Sequence, residues 1–416
     1  MNVLVATLGS YGDVSPMVAI AARLRARGQM VTLFTNAHFQ KLALKHGVKF
    51  VPLGTEAEHR HFADHPDLFD PRKSFSVFMN TVALPNIRRA YEQLKAHIEP
   101  NETVIVASLA VFAARLLQEK FNIPTVTVHL TPLAIKSAYA VPKVSGPRIP
   151  DWFPRSLKQF YWWVADKVFI DPVICLELNA LRKEIGLAPV DRVLTRWVHS
   201  PQRVICMFPE WYASPQPDWP PNTYLTGFPL FDEGDEDELP GKVVEFLRAG
   251  EAPVVFMPGS LMQHGSLFFE ESLGACQALG RRGILLSRFA HQIPEHLPEG
   301  IRHFAYVPFG KLLPHTAALV HHGGIGTSAQ AMRAGVPQLI HPMAHDQYDN
   351  AARLHALGVA DWINPGDYRA PAVVDRLQRL TESSAVLEQC RAVADRFENT
   401  DPLLETCELI EATLQH

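Results

Sequence analysis

The sequence predicts an α/β protein made of two doubly wound parallel-sheet domains that face each other across a cleft. Three observations carry this. Short apolar runs bounded by glycine alternate with helical periodicity in both halves. An acidic stretch flanked by prolines, FPLFDEGDEDELPG (228–241), separates the halves. A chain of 416 residues can hold two or three domains, each with its own core.

The elements follow in order. Val3 to Leu8 is apolar and meets Gly9, as a buried parallel strand should. Ser15 is a candidate N-cap with Pro16 at the first helical position, opening a helix over 17–27 that Gly28 closes. Met30 to Thr35 is the next strand, which completes a βαβ unit. Further strands are expected at 103–107 and 125–129, with a helix over 110–120 between them. The segment 151–170 is aromatic and helical after Pro154, and 176–185 is a second helix ended by Gly186. Strand character returns at 204–208. After the acidic stretch the alternation restarts. Strands are expected at 253–257, 284–287, 318–322 and 338–341, and helices at 268–279, 328–334 and across 385–414. The domain bounds are therefore 1–231, a linker at 232–241, a second domain at 242–395, and a closing helical segment, 396–416, that crosses back to the first.

Composition narrows the function. Net charge is −4, which argues against the basic footprint that nucleic acid requires. The five cysteines are scattered and never in CxxC spacing, so neither a disulfide framework nor a structural zinc site is expected, and a reducing, cytoplasmic setting fits. The start of the chain does not read as a signal peptide, and no apolar run reaches the length of a membrane span.

Three strand-end loops carry the chemistry. In ALVHHGGIGTSAQ a strand runs into Gly323, Gly324 and Gly326, and a helix opens at Thr327 or Ser328. Glycines let the backbone approach a ligand, and helix-start N–H groups favour an anion such as pyrophosphate. A tight turn without a ligand is the plainer alternative. The loop lacks GK[ST] and does not match GxGxxG. In LGSYGDVSP, Asp13 stands at a helix start, as a cap or as a general base. In PVVFMPGSL, Gly259 and Ser260 follow a strand, as a plain turn or as a further phosphate contact. Beyond them, Asp346–Gln347 offers acceptors and an amide for sugar hydroxyls. No metal-ligand spacing such as HExxH and no GxSxG elbow occurs, so neither a metal nor a hydrolytic serine is expected.

Taken in this order, HHGGIGT (321–327) with PMAHDQ (342–347), GSYGDVSP (9–16) and AYVPFGKLLP (305–314) resemble family 1 glycosyltransferases of the GT-B fold. DPRKSF (70–75), HSPQ (199–202), TGFPLFD (226–232) and AHDQYDN (344–350) resemble the bacterial rhamnolipid-forming rhamnosyltransferases within that family. The resemblance implies an inverting transfer from a nucleoside-diphosphate sugar, with UDP-glucose the first donor expected and dTDP-rhamnose the second. No cofactor and no metal are implied. It assigns the N-terminal domain to the acceptor and the C-terminal domain to the nucleotide sugar. His321, Gly324, Gly326, Thr327 and Ser260 would hold the diphosphate, Tyr306 and Phe309 the base, and Asp346 and Gln347 the sugar. Asp13 would be the base, acting without the histidine–aspartate dyad of plant members, since Ser108 stands at the comparable later position. Gly12, His129 and Trp162 would line the acceptor, with His129 a second candidate base. The aromatic residues of 152–163 either line a pocket for a small apolar hydroxyl acceptor, lipid-like or aromatic, or rest on a membrane surface, or pack internally. An epimerase on the same fold and a silent donor-binding subunit are the competing functions.

Overall fold

The computed structural model describes residues 1–145, 149–150, 152–231 and 238–414. Residues 232–237 of the expected linker, and residue 151, lie outside the described residues. The chain divides into two units, Met1–Pro229 with Asp401–His416, and Leu230–Thr400.

Unit 1 contains a seven-stranded sheet of β1 (Asn2–Ala6), β2 (Met30–Thr35), β3 (Lys49–Pro52), β4 (Thr103–Ser108), β5 (Thr125–His129), β6 (Arg203–Cys206) and β7 (Thr223–Leu225). The order is β3-β2-β1-β4-β5-β6-β7 and every pairing is parallel. β1 sits between β2 and β4, with Val3 opposite both Val31 and Val104. The chain order reverses at this β1/β4 junction, and a ligand crevice opens at such a switch point.

Unit 2 repeats the plan with six strands, β8 (Val254–Met257), β9 (Gly283–Leu286), β10 (Ile301–Phe304), β11 (Ala318–His321), β12 (Gln338–Ile340) and β13 (Ala360–Trp362). The order is β10-β9-β8-β11-β12-β13, again all parallel, with the switch between β8 and β11. Both sheet faces are apolar. Val254, Phe256, Leu285 and Val320 pack with Phe268, Phe269, Val373 and Leu377 on one side. Val255, Ile284, Leu286 and Leu319 pack with Val243, Phe246, Leu312 and Ala331 on the other. The period-two split explains why these strands read as continuous apolar runs.

Several helix bounds depart from expectation. The first helix runs Tyr11–Ala26 with Ser10 as its cap, so Ser15 is not the cap and Pro16 lies inside the helix. Ser10 and Asp13 form a reciprocal capping box, which starts the helix before the proline is reached. The helix after β11 is Ile325–Arg333, capped at Gly324, two to three residues earlier than Thr327 or Ser328. The segment Arg155–Glu184 is an unbroken helical run with a π-turn at Asp166–Ile170.

The last helix, Pro402–Glu411, packs within unit 1 against the first helix. Glu411 accepts from Arg27 (2.7 and 3.1 Å) and from Gln29 (2.9 Å), and Asp401 pairs with Arg23. Thr406 and Thr226 share a buried hydroxyl hydrogen bond of 2.9 Å.

Candidate functional site

The loop after β1 leads into a helix whose start is closed by its own carboxylate. Gly9 has φ +137°, a conformation that side chains rarely adopt, and a Cβ there would lie 2.3 Å from Asp13 Oδ2. The glycine therefore makes room for the Asp13 carboxyl. Ser10 donates to Oδ2 from its backbone N–H (2.8 Å) and from its hydroxyl (2.9 Å), and its Oγ accepts from Gly12 N–H (3.2 Å). Both bonds from Ser10 fall on Oδ2, and Oδ1 takes neither. Burial raises the Asp13 carboxyl above its ordinary value, against the lowering effect of the Ser10 bonds. Gly12 itself is exposed.

A pocket shares Gly9 with this loop. Its walls come from Leu8, Gly9, Asn36, Glu58, His59, Thr81, Val82 and Asn86. His59 is buried and stacks on His38 at 4.0 Å, and its Nε2 has no partner among the described residues. Burial, with the neighbouring His38, lowers its pKa to about 4. Glu58 is held by Arg89 (3.1 and 3.2 Å), which keeps its carboxyl below the usual range. Sequence reasoning missed His59, which has no motif around it.

His129 and Trp162 point inward. His129 ends β5 at 1% exposure and pairs through Nε2 with His199 Nδ1 at 2.9 Å. Burial holds its pKa well below normal. Trp162 is buried and donates to the Ser137 carbonyl at 3.0 Å. Ser108, at the end of β4, is buried, and its hydroxyl has no partner among the described residues.

Unit 2 presents a contrasting helix start at its own switch point. Gly323 has φ +90°, Gly324 is the N-cap and carries no side chain to cap with, and Ile325, Gly326 and Thr327 are the first helical residues. Their N–H groups have no partner within the helix. Gly326 is exposed with open space above it.

The tandem histidines before this turn have different orientations. His321 is fully buried. Its Nδ1 accepts from Gly323 N–H at 3.1 Å, which leaves the proton on Nε2 for Gln338 Oε1 at 3.0 Å. Burial pushes its pKa down to about 3. Both ring nitrogens of His321, expected to meet a diphosphate, are thus engaged within the protein. His322 is the one whose ring lies between the loops. A Cβ on Gly259 would stand 3.4 Å from it and one on Gly324 2.5 Å from its Nε2. Its Nδ1 has no partner among the described residues, and burial with His345 and His341 nearby lowers its pKa to about 4. Alternation along the strand end puts neighbouring side chains on opposite sides, which was the available signal.

Gly259 has φ +122°, and Ser260 beside it is exposed. Asn350 ties the turn together, donating to Gly323 O (2.9 Å) and to Asp346 Oδ2 (2.8 Å). Asp346 is partly exposed. Gln347 is buried, and its Oε1 accepts from Met343 and Ala344 N–H at 2.7 and 3.1 Å, so its carboxamide oxygen shapes the loop. Tyr306 is exposed, with the Arg288 guanidinium 5.5 Å above its ring, whereas Phe309 packs on the Leu312–Leu313 core.

Residues 3–140 match the glycosyltransferase family 28 N-terminal domain, and residues 284–405 match the erythromycin biosynthesis protein CIII-like C-terminal domain. The chain is 29% identical over 383 residues to the O-mycaminosyltylonolide 6-deoxyallosyltransferase of Streptomyces fradiae, covering 86% of this chain and 85% of that one. It is also 29% identical over 384 residues to a sterol 3-beta-glucosyltransferase of Arabidopsis thaliana, covering 86% of this chain and 57% of the relative. The chain is an NDP-sugar-dependent glycosyltransferase. The fold of this glycosyltransferase is GT-B. It superposes on the kitacinnamycin glycotransferase with a TM-score of 0.73 at 20% identity, over 99% of both chains. It superposes on the glycosyltransferase VinC, solved with dTDP, with a TM-score of 0.70 at 19% identity, over the whole of both.

Proposed function

We propose that the enzyme transfers a hexose with inversion from a nucleoside-diphosphate sugar to a hydroxyl of a small apolar acceptor, lipid-like or aromatic. The observation that carries this is Asp13, a carboxyl of raised proton affinity at the β1/β4 switch point, with Oδ1 left out of the Ser10 bonds. Asp13 takes the proton of the acceptor hydroxyl as that oxygen attacks the anomeric carbon. The bond from that carbon to the phosphate oxygen breaks, and the nucleoside diphosphate leaves as an anion. The N–H groups of Gly326 and Thr327, the His322 ring and Ser260 stabilise it, so the step calls for no metal. His321 is a positioning residue that holds Gly323 and Gln338. Tyr306 with Arg288 flanks the base, and Asp346, oriented by Asn350, binds sugar hydroxyls.

The crevice lined by Asn36, His59, Thr81 and Asn86 shares Gly9 with the Asp13 loop, and in this reading it is one wall of the acceptor site, not a pocket that encloses the acceptor. It replaces the interior residues His129 and Trp162 in that role. UDP-glucose remains the first donor to test. dTDP-rhamnose is second. A donor-by-acceptor screen read by mass spectrometry tests the proposal. Product that forms only with an acceptor present supports it, and an altered sugar nucleotide without any acceptor overturns it.

A further inference from the structure

The helical run that follows Trp152 buries polar side chains and exposes apolar ones. Lys158, Asp166 and Asp171 are buried, whereas Trp152 (80% exposed), Leu157, Phe160 (59%), Trp163, Val168, Phe169 (67%) and Leu176 (76%) face outward. The inner face is fully committed. Asp166 accepts from Thr195 (2.6 Å) and Arg192 (3.1 Å), Asp171 accepts from the Arg192 and Val193 N–H groups, and Trp162 donates to Ser137. The run cannot turn its aromatic face inward without breaking these bonds. Phe160 and Trp163 stack at 5.8 Å on the outward face. Its exposed residues from 152 to 176 include two charged side chains, Arg155 and Lys167, both cations. Lys167 pairs with Asp191, whereas Arg155 lies over the Tyr139 ring at 4.1 Å.

We propose that this stripe seats the enzyme on a lipid surface, with the aromatic side chains in the headgroup boundary. An exposed apolar face of this size marks an interaction site. Over 152–163 the exposed Trp152, Leu157, Phe160 and Trp163 surround Arg155, the one exposed charge of that segment, which matches an interfacial helix on anionic lipid, whereas beyond it Lys167 is paired with exposed Asp191 and Leu176 is followed by exposed Glu177. No described helix is long and apolar enough to cross a membrane, so the stripe lies on the surface. The inference is independent of the catalytic reading.

The test uses the full chain and sedimentation with vesicles of phosphatidylcholine, with or without phosphatidylglycerol. The wild type should pellet with vesicles, severalfold more with the anionic lipid, and its tryptophan emission should shift to the blue. Phe160→Ser with Trp163→Ser should lower the partition coefficient about tenfold or more. Nucleoside-diphosphate affinity and transfer to a water-soluble acceptor should stay at wild-type levels, which reports an intact fold. A wild type that stays in the supernatant with both vesicle types overturns the proposal, as does a variant that pellets equally. A wild-type dimer that the double variant converts to monomer also overturns it, because a second copy then covers the stripe.

Discussion

The loops after β1 and β11 are built on one template and finished in opposite ways. Gly9-Ser10-Tyr11-Gly12-Asp13 and Gly323-Gly324-Ile325-Gly326-Thr327 each hold a positive-φ glycine, an N-cap, and glycine at the second helical position. Each follows a strand that lies at the switch point of its sheet. In unit 1 the cap is serine and the third helical residue is aspartate, so the chain closes its own helix start. In unit 2 the cap is glycine and the third residue is threonine, so the helix start stays open to an anion. In the proposed function this difference gives the proton to one loop and the phosphate to the other. A phosphate at the first loop would meet the Asp13 charge.

Breaking the unit 1 finish has the largest expected effect. Asp13→Asn keeps the shape and removes the base, so kcat should fall about 10²–10⁴-fold. Steady-state kinetics at saturating donor and acceptor checks this, and a variant with more than about a tenth of wild-type kcat would make Asp13 only a cap. Gly9→Ala should cost about 10²-fold in kcat, because its Cβ displaces the carboxyl without removing it. The distinguishing observation is that Asp13 remains titratable in the pH–rate profile of this variant.

In unit 2, the two histidines should separate. His322→Ala should weaken nucleoside-diphosphate binding about tenfold, the order of one charge-assisted hydrogen bond. His321→Ala should instead lower Tm, by about 1–3 kcal/mol of stability, because Gly323 N–H and Gln338 lose their partner. Equal losses of affinity in the two, with Tm unchanged, would undo the assignment. The smallest effect concerns pH. The base must be ionised, so kcat/KM should fall as pH drops through the raised Asp13 value, with its acid limb above that of an ordinary carboxylate.

Much of this was legible in the sequence. The strands Met30–Thr35 and Thr125–His129 match their apolar runs residue for residue, because buried parallel strands are apolar on both faces. β3 was not legible, since Lys49–Pro52 is an edge strand of half-exposed residues. Helix starts were misplaced because Pro16 and Ser328 look like start signals, whereas the caps are Ser10 and Gly324. The donor loop was visible in its glycines. Which of two adjacent histidines turned toward it depended on the hydrogen bond from His321 to Gln338, seventeen residues away. The pocket around His59 depends on side chains from four separate segments, so no local pattern announces it.

The division of labour between the loops is tested most directly by calorimetric titration of the nucleoside diphosphate into two variants. Thr327→Asp gives the unit 2 helix the acidic third residue of unit 1, and Asp13→Asn removes that charge from unit 1. Thr327→Asp should bind about 10²-fold more weakly than wild type, since a like charge facing an anion costs several kcal/mol. Asp13→Asn should bind as wild type does. If Thr327→Asp keeps wild-type affinity, or Asp13→Asn loses as much as Thr327→Asp, the phosphate does not sit at the open helix of unit 2 and the account fails.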